Sequence, residues 1–431
     1  MPKLRRLWVL AHRYVGLLLA GFLILEGVTG SILAYKVAIE QLLVPSIYAT
    51  PRPGVAPLPV SVLAERVEAQ EPRARVGYFS VGDRQALMHM LPRTDPATGK
   101  PYRLDFEQVF LDPWTGKELG KRGGIDLARG PINLMPFVWD VHQNLAVGPT
   151  GTLVLGVVAV LWTLDCFVAV YLTIPVSRRR FLDRWAVAWK VKWPSSPFRL
   201  NFDLHRAGGL WLWAALFVFA WSSVMFTLPM QVYDPVMGAL FGYRGESATF
   251  AEVTRTRHPI LNPKLDWRAA ERAGAKQMAE AAARRGFRIE RPYGMGYIED
   301  WGVYTYAVAS DRNIQKESWG TSLWLDGDTG ALVELDVPAG QPAGAAIDAW
   351  MRALHFADLR DSAAYRLFTF LIGLAVAGLS VTGVYIWLKK RRGENARNKT
   401  VQGAAPRPGR WGGWIGVPKG ARRVEADHHG S

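Results

Sequence analysis

Four histidines stand near four long apolar runs and fall into two matched pairs. His12 and His205 each open a His-Arg-x-x-Gly stretch, His12-Arg13-Tyr14-Val15-Gly16 and His205-Arg206-Ala207-Gly208-Gly209. His142 and His355 lie 10 to 12 residues ahead of two further runs, each with a tryptophan shortly upstream, Trp139 and Trp350. Neutral imidazole is a common ligand of haem iron, and two rings on opposite sides fill both axial positions. An iron saturated in this way suits one-electron transfer better than oxygen chemistry. For any single histidine the alternative is an interfacial residue anchoring a helix end; the duplicated pattern points to ligands.

The runs that must position these rings are Val15 to Tyr35, Leu153 to Ile174, Ala207 to Leu228 and Leu367 to Leu388. Each is 21 or 22 residues long, about 30 Å of helix and enough to cross a bilayer core. A cleaved signal peptide is a poor reading of the first, because its apolar segment is too long and no small-residue cleavage site follows. The expected fold class is therefore an α-helical membrane protein with a four-helix transmembrane bundle.

The net charge of +15 marks orientation rather than nucleic-acid binding. Val176 to Leu204 carries seven Lys and Arg, among them Arg178, Arg179, Arg180 and Arg184, against Asp183 and Asp203. Lys3, Arg5 and Arg6 precede the first run, and Lys389 to Arg392 follow the last. Short basic flanks lie on the cytoplasmic side. Both termini are thus expected inside the cell and the two long connections outside, with anionic lipid as a secondary contact. This topology pairs His12 with His205 inward and His142 with His355 outward, since ligands from facing helices are a usual way to hold a cofactor.

Other residues qualify for supporting roles. Arg13 and Arg206 are suited to haem propionates, or are ordinary snorkelling cations. Gly16 and Gly209, one turn past the inner histidines, either admit a flat porphyrin or let helices pack closely. Glu26 and Asp165 fall inside the runs, about 20 Å from the cytoplasmic end at 1.5 Å per residue. Buried carboxylates there are costly; they read as proton handling, or as a hydrogen-bonded structural pair touching Thr29, Thr163 or Thr382. Trp162, Trp211, Trp213, Trp221, Trp387 and Tyr171 read as belt or packing residues. His89, His258, Arg73, Arg255 and Arg257 read as surface groups of the external segments. The lone Cys166 excludes an internal disulfide, and no Cys-x-x-Cys-His exists for covalent haem.

The chain reads as one unit written twice: run, long external segment, run, basic stretch. The external segments, 36–136 and 229–350, each show a helix-like stretch (Val60 to Ala69; Trp267 to Arg285) and strand-like alternation (Val76 to Leu91; Gly302 to Ala309). Each ends in Asp-x-x-Thr-Gly, at Asp112 to Gly116 and Asp326 to Gly330. That sequence predicts a tight turn, with the Asp side chain capping amides and Gly at positive φ. Two small α+β domains are expected. The tail from Gly393 to Ser431, rich in Gly, Pro and Arg, is expected to be disordered in the cytosol, with Trp411 and Trp414 near lipid and His428 and His429 in solvent.

The paired turns, the paired His-Arg-x-x-Gly openings and the duplicated plan resemble the PepSY-associated transmembrane family over Leu7 to Arg392. That family includes bacterial iron-regulated inner-membrane proteins and ferric-siderophore reductases. The resemblance implies a four-helix bundle with two periplasmic α+β PepSY-like domains. In the reductases, haem in the bundle carries electrons outward to a ferric chelate, and the matching ligands here are His12, His142, His205 and His355. Two b-type haems are therefore expected. Glu26 and Asp165 depart from the apolar or hydroxyl residues expected within the runs.

No P-loop appears, no Gly-x-Gly-x-x-Gly follows an expected strand, and no His-Glu-x-x-His is present. Without nicotinamide, flavin or ATP motifs, electrons are expected from a quinol or another protein. The leading expectation is an inner-membrane haem protein reducing a periplasmic ferric chelate, a siderophore complex. The rival is a haem-free protein whose external domains inhibit proteases or scaffold an uptake complex. If the histidines sit at opposite faces, two irons would lie more than about 30 Å apart along the helices, unless the outer ligands fold back toward the bilayer.

Overall fold

The computed structural model describes residues 3–403 apart from 244, 317–319, 340–342 and 361. Helix α1 (Lys3–Leu33) passes through α2 (Lys36–Leu43) into α3 (Val60–Gln70) and strands β1 (Ala74–Val81), β2 (Ala86–Pro92), β3 (Gln108–Leu111) and β4 (Glu118–Arg122). Helices α4 (Leu134–Asn144), α5 (Pro149–Thr173), α6 (Phe181–Ala186), α7 (Pro197–Trp211), α8 (Trp213–Thr227), α9 (Asp234–Phe241) and α10 (Glu246–Thr256) follow. The second αβ segment holds α11 (Trp267–Arg285), β5 (Ile289–Ile298), β6 (Val303–Ser310), β7 (Thr321–Asp326) and β8 (Leu332–Asp336). Helices α12 (Ala343–His355) and α13 (Ala363–Gly403) complete the described chain.

Among the described residues, α1, α5 and α13 are long and apolar enough to cross a membrane. The third apolar run differs from its expectation. It is not one straight helix: α7 and α8 meet at Leu212 with a bend of 69° and reach the length of a span only together. The Gly208-Gly209 pair lies one turn before the break, a composition that permits bending. Two indoles hold the halves on different neighbours, Trp211 Nε1 donating to Trp189 O and Trp213 Nε1 to Cys166 O. Helices α1 and α13 approach backbone to backbone at Gly27 and Gly373, where a Cβ on either would strike the other helix. Ser31 Oγ closes the same contact by donating to Phe370 O at 2.9 Å.

The two αβ segments do not form separate sheets. All eight strands join in one antiparallel sheet, ordered β4-β3-β2-β1-β5-β6-β7-β8, with the seam where β1 pairs with β5. Period-2 alternation dictates the layering. Val76, Phe79, Met88 and Val109 point to one face with Met295, Tyr304, Tyr306, Leu323 and Leu325, and α3 and α11 cover them in a single core. The predicted turns form as read. Asp112 Oδ1 accepts from the Trp114 and Thr115 amides, Asp326 Oδ1 from the Asp328 and Thr329 amides, and Gly116 and Gly330 hold φ of 66° and 69°.

At the C-terminus, α13 stays helical to Gly403, so the first residues of the expected disordered tail are ordered as helix. From Trp387 onward the chain forms a unit of its own. Trp411, Trp414, His428 and His429 lie outside the described residues.

On the opposite face of the sheet from α3 and α11, Tyr78, His89, Gln108 and Arg122 share one cross-strand row. His89, expected at the surface, is half-buried and stacks on Tyr78 at 4.0 Å and 14°. Burial, then the nearby Arg122 charge, pushes its pKa down from 6.5 to about 4. The folded chain therefore resists a proton that the unfolded chain accepts near pH 6.5. Stability should fall as pH drops from 6.5 to about 4 and level off below. His89→Gln should shrink the loss of melting temperature between about pH 7 and pH 5, followed by tryptophan emission.

Candidate functional site

The rings of His12 (α1) and His205 (α7) face each other with centroids 6.3 Å apart, tilted by 53°. Those of His142 (α4) and His355 (α12) do the same at 6.2 Å and 55°. The expected pairing is the one the fold brings together. The second pair lies toward the sheet, since α4 and α12 descend from the β4 and β8 sides.

In both pairs Nδ1 of each ring is held by a neighbouring helix. His12 Nδ1 donates to the Asp165 carboxylate of α5 at 2.9 Å. His205 Nδ1 meets Leu379 O and Thr382 Oγ1 of α13, both at 3.0 Å. His142 Nδ1 meets Thr29 Oγ1 at 2.9 Å and Glu26 Oε2 at 3.0 Å, both on α1. His355 Nδ1 meets Ser222 Oγ of α8 at 2.8 Å.

These partners bear on the tautomer. Carboxylates and carbonyls only accept. The three hydroxyls also lie within reach of carbonyls of their own helices, Thr29 of Leu25 O, Thr382 of Leu379 O and Ser222 of Phe219 O. Nδ1 of His12 and of His205 must therefore carry the ring proton, and the Glu26 carboxylate beside His142 Nδ1 favours the same there, which leaves a lone pair on each Nε2; His355 Nδ1 faces only the Ser222 hydroxyl, which can donate or accept. Among the described residues no protein group bonds to any of these Nε2 atoms. Neutral imidazole with a braced Nδ1–H and a free Nε2 is the form that ligates metals.

The ring spacing suits a metal shared between two imidazole nitrogens. A metal–nitrogen bond of about 2 Å at each ring, plus roughly 1.1 Å to the ring centre, sets two axial imidazoles about 6.2 Å apart. Both pairs match. The surroundings also leave room: a Cβ added at Gly16 or Gly209 would meet nothing within 4 Å. These two glycines are thus not close-packing residues, a role that falls to Gly27 and Gly373. Gly383 and Gly30 serve the rings instead, since a Cβ there would press on His205 Cε1 at 3.2 Å and on His142 Cε1 at 3.1 Å. The donor sets fit two bis-imidazole haems.

Glu26 and Asp165 do not pair with each other. Asp165 hydrogen-bonds His12, while Glu26 lies 3.0 Å from His142 Nδ1 as a charge neighbour beside the Thr29 hydrogen bond, one acid at each site. Asp165 is shallower than the expected depth of about 20 Å: α5 ends at Thr173, so the acid sits only eight residues, about 12 Å, from the helix end. His12 is itself nine residues into α1, at the level of Asp165 rather than at the mouth. Along α1, Glu26 and Thr29 come 14 and 17 residues after His12, about 21 and 26 Å. The sheet-side ligands fold inward, which shortens the anticipated separation.

Arg13 and Arg206 part ways. Arg206 is bound to the loop before α7, donating to Val187 O, Ala188 O and Lys190 O and to buried Asp203. Arg13 forms no ion pair or side-chain hydrogen bond among the described residues and is the one of the two available to an anionic group. Trp162 and Trp213 pack in the core between the sites, and Trp221 rests on Tyr233 at 5.4 Å. His258 and Arg255 are exposed, whereas Arg257 ties Asp326 at 2.6 Å to the strand end.

Sequence reading missed the aromatic wall of the sheet-side pair. His355 lies 5.1 Å from Phe226 and 5.6 Å from Phe219. Trp139 stacks on Phe356 at 5.7 Å, with the Lys36 ammonium 5.3 Å from the indole. The spacing of Phe219, Ser222 and Phe226 on one helical face held that signal, as did Trp139 three residues before His142. Among the described residues no group of three or more His, Cys, Asp or Glu gathers to hold a bare metal ion.

A membrane protein with two imidazole pairs braced at Nδ1 is the class that fold and site define. The chain belongs to the PepSY-associated TM region family, whose model matches residues 9–390. No curated protein matches it.

Arg206 makes a local prediction. Arg206→Ala should free the 187–190 turn and expose its neighbouring cations. Trypsin should then cut between Arg178 and Lys192 several-fold faster than in the parent protein, read by gel densitometry, with His12 and His142 untouched.

Proposed function

We propose that this chain is a di-haem, b-type electron-transfer protein of the bacterial inner membrane that reduces a ferric chelate, a ferric siderophore, in the periplasm. The observation that carries the reading is the Nδ1 contact to a neighbouring helix repeated at four rings, combined with ring spacings of 6.3 and 6.2 Å. In this reading α7 and α8 together make the third of four spans, and the chain is an internal duplication. The basic segments around α6 and at both ends lie in the cytoplasm, and the sheet lies in the periplasm. Membrane lipid surrounds the spans, and a quinol or a donor protein supplies the electrons.

Haem at the two sites would supply reversible one-electron Fe(III)/Fe(II) chemistry. The residues do the remaining work. His12 with His205 would hold one haem iron, and His142 with His355 the other. Asp165 and Glu26 hold one imidazole of each pair and make it a stronger donor, while hydroxyls and a carbonyl hold the other. Arg13 is placed to pair with a propionate near the cytoplasmic end. Phe219, Phe226 and the Trp139–Phe356 stack keep water from the sheet-side pair. Substrate iron would leave as Fe(II), because hard oxygen chelators hold the divalent ion less tightly.

Haem counting tests this. Protein purified from haem-supplied cells should show a Soret band and an α-band that sharpens with dithionite. His12→Ala and His142→Ala should each lose about one haem per chain. Asp165→Asn and Glu26→Gln should keep the fold but weaken retention about 10- to 100-fold, read by transfer to apomyoglobin. A colourless wild-type protein would refute the reading and leave the scaffold alternative.

A further inference from the structure

Two short helices outside the spans carry exposed apolar faces, one in each half of the repeat. Helix α2 begins at Lys36, three residues after α1 ends at Leu33, and α9 begins at Asp234, seven residues after α8 ends at Thr227. Each has eight residues, about 12 Å of helix and too short to cross a bilayer.

On α2, Glu40 fixes the side that meets the protein. Its Oε2 accepts from the Tyr48 hydroxyl at 2.9 Å and its Oε1 from Arg122 of β4. At about 100° per residue, Ala38 and Leu42 stand roughly 160° round the helix from Glu40. Both are exposed, Leu42 by 80%. On α9, Met237 plays the same part. It is buried in one cluster with Val224, Leu228 and Tyr233, against which Ile347 and Met351 of α12 pack. Pro235 and Ala239 stand on the far side and are exposed, and Leu240 is 68% exposed beside exposed Val236 and Phe241. From Pro235 to Tyr243 the chain holds no charged residue.

A single apolar residue at a surface is ordinary. Two apolar faces at the same place in a repeated unit, each at the end of a span, are not. Continuity with the spans names the occupant. The outward sides of α1 and of the α7–α8 pair lie in lipid if these helices cross the bilayer, and α2 and α9 start where those helices leave it. A protein partner would want a polar rim round its apolar contact, and the α9 stripe has none. A helix with its polar side on protein and its apolar side free is suited to lie in the plane of the interface.

We propose that α2 and α9 rest in the headgroup–acyl boundary of the leaflet on the sheet side, with Leu42, Val236 and Leu240 among the acyl chains. The partner is the phospholipid bilayer itself. Each of these helices also touches a carrier of a sheet-side ring. The Lys36 ammonium of α2 lies 5.3 Å from the Trp139 ring of α4, and α9 packs on α12. The bilayer surface thereby sets the level of α4 and α12, whatever the histidine pairs hold.

The test places a nitroxide at single cysteines in the full chain, with the one native thiol removed as Cys166→Ala, in phospholipid nanodiscs. The positions are Leu42→Cys and Leu240→Cys, with Leu164→Cys on the exposed side of α5 as the lipid control and exposed Lys100→Cys in the loop after β2 as the water control. Collision with oxygen should exceed collision with a water-soluble nickel chelate at least threefold at Leu42→Cys and Leu240→Cys, as at the lipid control and opposite to the water control. Values like those of the water control would overturn the proposal. Shielding from both agents would overturn it too, in favour of a protein cover. The unsubstituted chain gives a second measurement: a phospholipid with a photoactivatable acyl chain should label peptides spanning 37–43 and 235–241. Labelling confined to the spans would exclude the contact.

Discussion

A neutral imidazole in an apolar bundle has two nitrogens and only one proton, and everything else here follows from where that proton is held. Three times a neighbouring helix sets beside Nδ1 a carboxylate or carbonyl oxygen that has nothing to donate in return. Three of the rings, His142, His205 and His355, also meet a Ser or Thr oxygen. The bond restrains ring direction as well, because it draws one side of the imidazole onto a helix, and the partner ring lies 6.2 to 6.3 Å away, centre to centre. Packing then has only to set the gap, and close contacts at Gly30 and Gly383 do so.

The same arrangement makes the two sites alike in an unequal way. Each pair has one ring backed by a carboxylate, His12 by Asp165 and His142 by Glu26, and one backed by neutral oxygen. An ionised carboxylate in hydrocarbon is expensive in isolation. Shared with an imidazole N–H, and placed where bound iron would add positive charge, it becomes a tuned support. That accounts for acids inside otherwise apolar helices.

Much of this was legible in the residues. The histidine pairing followed from basic flanks and run order alone, and both Asp-x-x-Thr-Gly turns formed because an Asx cap and a positive-φ glycine are local chemistry. The helix Trp267–Arg285 was bounded correctly by its composition. Errors came where tertiary contact overrode local signal. The bend at Leu212 has no proline to announce it and depends on where two indoles find acceptors. Arg206 reads like Arg13 in sequence, but only one of them has a loop of carbonyls within reach. Depth was misjudged for Asp165 because the nearest charges lay beyond the end of the helix. The joining of the two αβ segments through β1 and β5 depended on edge pairing between distant strands, which no short motif encodes.

That joined sheet has a mechanical side. Its two outermost strands, β4 and β8, are the ones from which the chain proceeds into α4 and α12, the carriers of His142 and His355. The eight strands therefore act as a crossbar between two hangers, with the β1–β5 pairing at mid-beam. Splitting the chain into halves would cut the beam at its centre and leave each fragment with a raw hydrogen-bonding edge. A stiff sheet of this kind limits how far its two outer strands can move relative to each other.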